Sequence, residues 1–161
     1  MNAKDILRQN VEFTHMLTRS YVEDLSDAEL LVRSVPGTNH IAWQLGHMIA
    51  GTQQMLGLLG HEVSLPEGFA AAYSAETAKS DDAAKFATKA EHLALLEQMK
   101  AATLAAIDAT PESALDQPAP EAMREYAPTV AAALGVVGLH GLMHAGQFIP
   151  IRRKLGKPPL F

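Results

Sequence analysis

Two histidines four residues apart, His140 and His144, stand on an otherwise apolar stretch with Ala133, Val137, Phe148 and Ile151. On a helix, side chains four apart lie one above the other on the same face. Two imidazoles so placed can chelate one divalent cation with no backbone adjustment, and they are equally compatible with hydrogen-bonded core histidines. The sequence has no HExxH, so a metalloprotease-type zinc site with a glutamate base is not indicated. A third ligand must come from another helix, and the best candidate is His47 in the run Trp43-Gln44-Leu45-Gly46-His47. Three neutral imidazoles would leave a coordination position open, as catalytic sites do. The metal would keep its full charge and favour hydroxide or a thiolate there by lowering the pKa of the bound group. The chain has no cysteine, which excludes disulfides and a cysteine nucleophile, so any thiol chemistry requires a thiol from outside.

Other residues flank this set. Gln147, one turn from His144, and Trp43, one turn before His47, are expected to line the pocket, with core packing as the competing role for each. His92 falls on the inward stripe of the third long helix, as a further ligand, a proton shuttle or a packed first-turn residue. Gly46 and Gly51 are expected to face the glycines at 135, 138, 141 and 146 across a close helix approach or a ligand space. Glu12 and His15 have the E-x-x-H spacing that di-iron bundles use twice. No second copy exists, so the pair is read as surface polar residues, and His61 as a solvated turn residue.

What must position these groups is helical. The 161 residues, 48% hydrophobic, are the size of one domain, taken as 1–161. At this length a folded chain hides roughly 68–70% of its unfolded surface, enough to stand without metal or disulfide. The formal charge of −5 argues against neutralising nucleic-acid phosphates. The N-terminus is polar where a secretory signal would be apolar, and the two greasiest stretches, 40–59 and 130–151, carry histidines and glutamine that are costly in hydrocarbon. Both read as core helices of a soluble, cytoplasmic protein with no membrane partner.

Periodicity predicts an all-α fold. A first helix covers 3–22 with Ile6, Phe13, Leu17 and Tyr21 on one face. The box Ser26-Asp27-Ala28-Glu29 opens a short extra helix over 28–32, and Pro36-Gly37 turns the chain. The second long helix starts at Thr38 or Asn39 and ends at Gly60. A long loop follows over 61–80. The third helix opens on Thr88-Lys89-Ala90-Glu91, presents Leu95, Leu96, Met99, Thr103, Ala106 and Ile107 inward and stops by Pro111. A proline-rich connector over 111–128 leads to a fourth helix over 129–155, expected to kink at Pro150. Four long helices with long connectors make a four-helix bundle. Leu134, Leu139, Leu142 and Ile149 make the last helix apolar nearly all round, which predicts a homodimer.

The run Asn39-His40-Ile41-Ala42-Trp43-Gln44-Leu45-Gly46-His47, then His140-Gly141-Leu142-Met143-His144-Ala145-Gly146-Gln147, then Arg152-Arg153-Lys154-Leu155-Gly156-Lys157-Pro158 resembles the DinB/YfiT-like superfamily over nearly the whole chain. The resemblance implies a four-helix bundle, a homodimer, and one divalent metal, nickel or zinc foremost, held by His47, His140 and His144. It also implies a small-molecule ligand, since some relatives activate a low-molecular-weight thiol as mycothiol-dependent isomerases or as bacillithiol or mycothiol S-transferases. The expected function is therefore metal-dependent S-transfer or isomerisation. The alternatives are a hydrolase using bound hydroxide and a non-catalytic metal-binding or structural bundle.

Overall fold

The helix-start signals in the sequence become hydrogen-bonded caps. In the computed structural model, which describes residues 2–160, α1 spans Ala3–Val22, α2 Asp27–Leu30, α3 Ile41–Leu58, α4 Phe69–Ala72, α5 Lys89–Ala109 and α6 Val130–Lys154. Asn2, Ser26 and Thr88 each form a capping box with the acid three residues on, so two backbone donors are satisfied reciprocally. The start of α3 differs from expectation. Its cap is His40, whose Nδ1 accepts the Trp43 N–H at 3.0 Å, and not Thr38 or Asn39. The Thr38 hydroxyl is spent on the Val35 carbonyl, while the other nitrogen of His40 donates to the Ser80 carbonyl at 3.0 Å, leaving Nδ1 bare for the cap. Gly60 and Gly156, with φ of 84° and 70°, end α3 and α6 in the left-handed region that glycine tolerates. The α6 helix continues through Pro150 to Lys154.

The bundle consists of α1, α3, α5 and α6, with α1 against α6 and α5, and α3 against the same two. By length and composition alone α6 could cross a membrane; in this fold Leu134 and Val137 pack with Leu7 and Val11 of α1, while Leu139 and Met143 stay exposed. Leu134 is buried in a cluster with Leu7 and Val11, so α1 covers part of the apolar surface that the sequence assigned to a partner. The inward face of α1 is also not the expected one. Leu7, Val11, Thr14, Thr18 and Val22 are buried, whereas Ile6 and Phe13 are 42% and 52% exposed. Two apolar stripes run along α1, and the inward one contains two threonines that a count of apolar residues discards.

The segment after α3 is not a plain loop. It contains α4, 3-10 turns at Thr77–Lys79 and Ala83–Lys85, and lies across α3 as a strap. The Trp43 indole N–H donates to the Ser74 carbonyl and the Thr77 hydroxyl at 3.1 and 3.2 Å. Arg33 donates to the carbonyls of Ala78 and Ser80 and pairs with Asp81. Gly46 faces this strap rather than α6: a Cβ there would stand 2.1 Å from the Tyr73 ring. Of the α6 glycines, 135, 138 and 141 lie against Leu7, Val11 and Thr14 of α1. Of the two α3 glycines expected to face α6, only Gly51 does so, against the His140 ring; Gly46 meets the strap, and the α6 glycines at 135, 138 and 141 meet α1. The 111–128 connector carries short 3-10 turns at Glu112–Ala114 and Glu121–Met123 and closes on α6 through a bridge between Pro118 and Thr129.

Candidate metal centre

The seam between α3 and α6 brings His47 together with His140 and His144. One ligand-capable nitrogen from each lies within 4.8 Å of the other two, and the Nε2 atoms of His140 and His144 are 3.3 Å apart. Gly51, one turn past His47, admits the His140 ring, since a Cβ there would stand 3.2 Å from its Cε1. A tetrahedral cation with bonds of about 2.0–2.1 Å spaces its ligand nitrogens by about 3.3 Å, which is the separation the α6 pair shows. The α6 pair therefore has the spacing of two ligands on one divalent metal, and His47, within 4.8 Å of both, could supply a third.

A hydrogen-bond chain fixes how His144 presents itself. Gln44, only 1% exposed, donates its amide N–H to the Asn39 carbonyl at 2.9 Å. That choice turns its Oε1 toward Nδ1 of His144, 3.2 Å away. Nδ1 must then carry the proton, and Nε2 is left with its lone pair facing the site, as second-sphere partners of metal-bound histidines arrange. The Nδ1 of His140 is buried without a partner. Trp43 stacks on His47 with ring centroids 4.9 Å apart and planes within 10°, and the strap holds its indole, so the ring plane of His47 is backed on one side.

Burial holds all three imidazoles neutral. His47 and His140 have pKa values lowered chiefly by desolvation, and His144 is pushed down to about 4 by burial first and then by its two neighbours. No carboxylate acts on any of the three among the described residues. A cation here would keep its charge undiminished by the protein, in contrast to sites with an aspartate or glutamate ligand.

The remaining sequence candidates are dispersed. Gln147 is exposed on α6 and has no hydrogen bond to the triad; the glutamine that reaches it is Gln44. The signal was present, because Gln44 is a polar residue three before His47 in an apolar run. His92 is buried with the strap, its Nε2 2.8 Å from the Tyr73 hydroxyl, and belongs to a different cluster. Glu12 is exposed as expected, but His15 is half-buried and pairs with Glu97 of α5 at 3.1 Å.

Fold and site together define a helical bundle with a three-histidine site able to bind a divalent metal. The family model of the DinB superfamily matches residues 10–148, and the chain belongs to that superfamily. Among solved structures it is similar to a conserved protein from Enterococcus faecalis, at 18% identity and TM-score 0.75, covering 98% of this chain and 99% of that one. It is also similar to YfiT from Bacillus subtilis, described as a probable metal-dependent hydrolase with an unusual four-helix bundle topology. There the identity is 19% and the TM-score 0.63, covering 96% of this chain and 89% of that one. Among curated proteins, none matches the chain.

Proposed function

We propose that the protein is a divalent-metal-dependent enzyme that uses its three histidines to activate a small thiol for S-transfer or isomerisation. The observation that supports this reading is a triad of neutral imidazoles on which no carboxylate acts among the described residues. When bound, nickel or zinc supplies a full positive charge that favours the ionised, nucleophilic form of a thiol at neutral pH. His47, His140 and His144 hold the ion, Gln44 orients His144, and Trp43 backs His47. The thiol comes from solution, because the chain has no cysteine.

The hydrolase reading draws on the description of YfiT. Activating water calls for a nearby proton acceptor; the three rings are spent as ligands, and no aspartate or glutamate acts on them. The thiol reading asks for no such base, since a thiol arrives with a proton of much lower pKa than that of water.

The test uses the full chain without a histidine tag. Metal analysis is expected to give about one equivalent of metal per chain, the occupancy of one three-ligand site. After cobalt substitution, glutathione or a related thiol is expected to produce a sulfur-to-metal charge-transfer band. Substoichiometric metal under replete conditions would favour the non-catalytic bundle. Full metal loading with no spectral change for any thiol would overturn the thiol reading and leave the hydrolase.

We also propose a homodimer through α1 and α6, which pack on each other and expose Phe13 and Met16 on one helix and Leu139 and Met143 on the other, at 52%, 45%, 37% and 66%. Sedimentation equilibrium is expected to give twice the chain mass; a monomer at micromolar concentration would overturn it.

A further inference from the structure

A pocket of about 60 Å³, open to solvent beside His15 and Lys100, reaches in between all four long helices. It backs onto the turns that carry the triad, because Met48 follows His47 and Gly141 follows His140, yet none of the three histidines lines it. From α1, Thr14 and Thr18 border it one turn apart, 7% and 2% exposed. Both hydroxyls are buried without a hydrogen-bond partner.

Other helical threonines of this chain show the usual alternative. The hydroxyls of Thr103 and Thr110 donate to the carbonyls four residues back, each at 2.8 Å. Thr14 and Thr18 forgo that bond. A buried hydroxyl left unpaired costs about 1–3 kcal/mol, and unsatisfied buried groups in native structures mark an occupant or a function. Gly141 keeps the adjoining space open: a Cβ there would stand 2.8 Å from Thr14 Cγ2 and 3.0 Å from Met48 Cε.

Charge and size narrow the occupant. The ionisable groups at the cavity edge are already matched, His15 with Glu97 at 3.1 Å and Lys100 with Glu12 at 3.0 Å and Glu97 at 3.5 Å. Deeper in, the lining is threonine, methionine, leucine, valine and glycine, which would leave an ion uncompensated at a large desolvation cost. One water takes about 10–15 Å³ in this measure, so the space holds about four non-hydrogen atoms.

We propose that this cavity is a second binding site, for a small uncharged molecule with one polar oxygen on a short apolar body, such as a three-carbon alcohol or ketone. The oxygen takes up the hydroxyls of Thr14 and Thr18, and the body packs on Met48, Met99 and Val137. The site is independent of metal binding.

The experiment is methyl-resolved NMR of the metal-free full chain titrated with 2-propanol and with acetone. Saturable shifts are expected at the methyls of Thr14, Thr18, Met48, Met99 and Val137, with no saturable response to acetate or 1-hexanol. T18V, nearly isosteric, is expected to weaken binding at least about tenfold, while T18S, which keeps the hydroxyl, retains it. Amide spectra establish that both variants are folded. Shifts that grow linearly without saturation would overturn the proposal, as would equal affinity in T18V and the parent. Bound waters at Thr14 and Thr18 that 2-propanol does not displace would overturn it as well.

Discussion

His92 and His144 are both pushed down to about 4, in each case chiefly by burial, yet their surroundings serve opposite ends. At His92 the Tyr73 hydroxyl accepts the Ala87 N–H at 2.8 Å and so has its own proton to give to Nε2 of His92, 2.8 Å away. That lone pair is consumed. At His144 the partner on Nδ1 is an acceptor, Gln44 Oε1, and Nε2 faces another imidazole nitrogen 3.3 Å away with at most one proton between them. At His144 the ring nitrogen opposite Gln44 thus meets only another imidazole, and ligand-capable nitrogens of His47, His140 and His144 lie within 4.8 Å of one another. A lowered pKa therefore reports burial in both clusters; only the direction of the lone pairs separates a strut from a metal site.

The sharpest way to break this comparison is to remove one ring from each cluster. H144A is expected to abolish stoichiometric binding of zinc or nickel, whereas H92Q, which keeps an acceptor for Tyr73, binds one equivalent as the parent does. Calorimetric titration of the untagged proteins decides it; loss of metal in H92Q alone would invert the assignment. The second test uses pH. An unfolded imidazole titrates at 6.5 and folded His92 at about 4, so between those values the unfolded chain binds the extra proton. Stability contributed by His92 is thus fully present above about 6.5 and is lost as pH falls toward about 4, by up to ~3 kcal/mol over the whole interval. Denaturant titrations of the metal-free proteins at neutral and acidic pH are expected to show a smaller loss in H92Q than in the parent. The contribution of His144 is common to both and cancels in the difference.

The two regions were also unequally legible in the sequence. The α6 pair could be read from spacing because one helix fixes both rings, and helix boundaries could be read because Ser26, Thr88, Gly60 and Gly156 act on backbone groups a few residues away. The strap could not. Tyr73 reaches His92 only after α4 has crossed α3 at Gly46, and nothing local in 61–80 encodes that crossing. Gln147 and Gln44 show the same limit within the site: both lie one turn from a triad histidine in the sequence, but only packing reveals that Gln147 points to solvent. In α1, periodicity offered two stripes, and the one carrying Thr14 and Thr18 is inward because the interior there holds a cavity instead of a continuous apolar core.

The strap can be tested through Gly46. A Cβ would enter the Tyr73 ring at 2.1–2.3 Å, so G46A must displace a buried aromatic that holds the Ala87 N–H and His92. Overpacking of this kind costs about 1–3 kcal/mol, offset in part by the better helix propensity of alanine, ~1 kcal/mol. A net fall in thermal stability is expected, with metal stoichiometry unchanged because Tyr73 does not touch the triad. A stable G46A with an intact Tyr73–His92 pair would show that the strap has slack.

The smallest effect sharpens the comparison most, because it acts on one lone pair without removing a ligand. Q44L keeps the side-chain bulk under His144 but takes away the acceptor that holds the proton on Nδ1. The ring is then free to place that proton on Nε2, where it competes with the cation, and the Asn39 carbonyl loses its donor. Second-sphere changes of this type weaken metal binding by about 10–100-fold; the lower end is expected here, since burial still keeps the ring neutral. Competition titration with a chromophoric chelator measures the shift, and nitrogen chemical shifts of His144 in the metal-free protein report the tautomer directly. Unchanged affinity with an unchanged tautomer would mean that the packing around α6, and not Gln44, aims the lone pair.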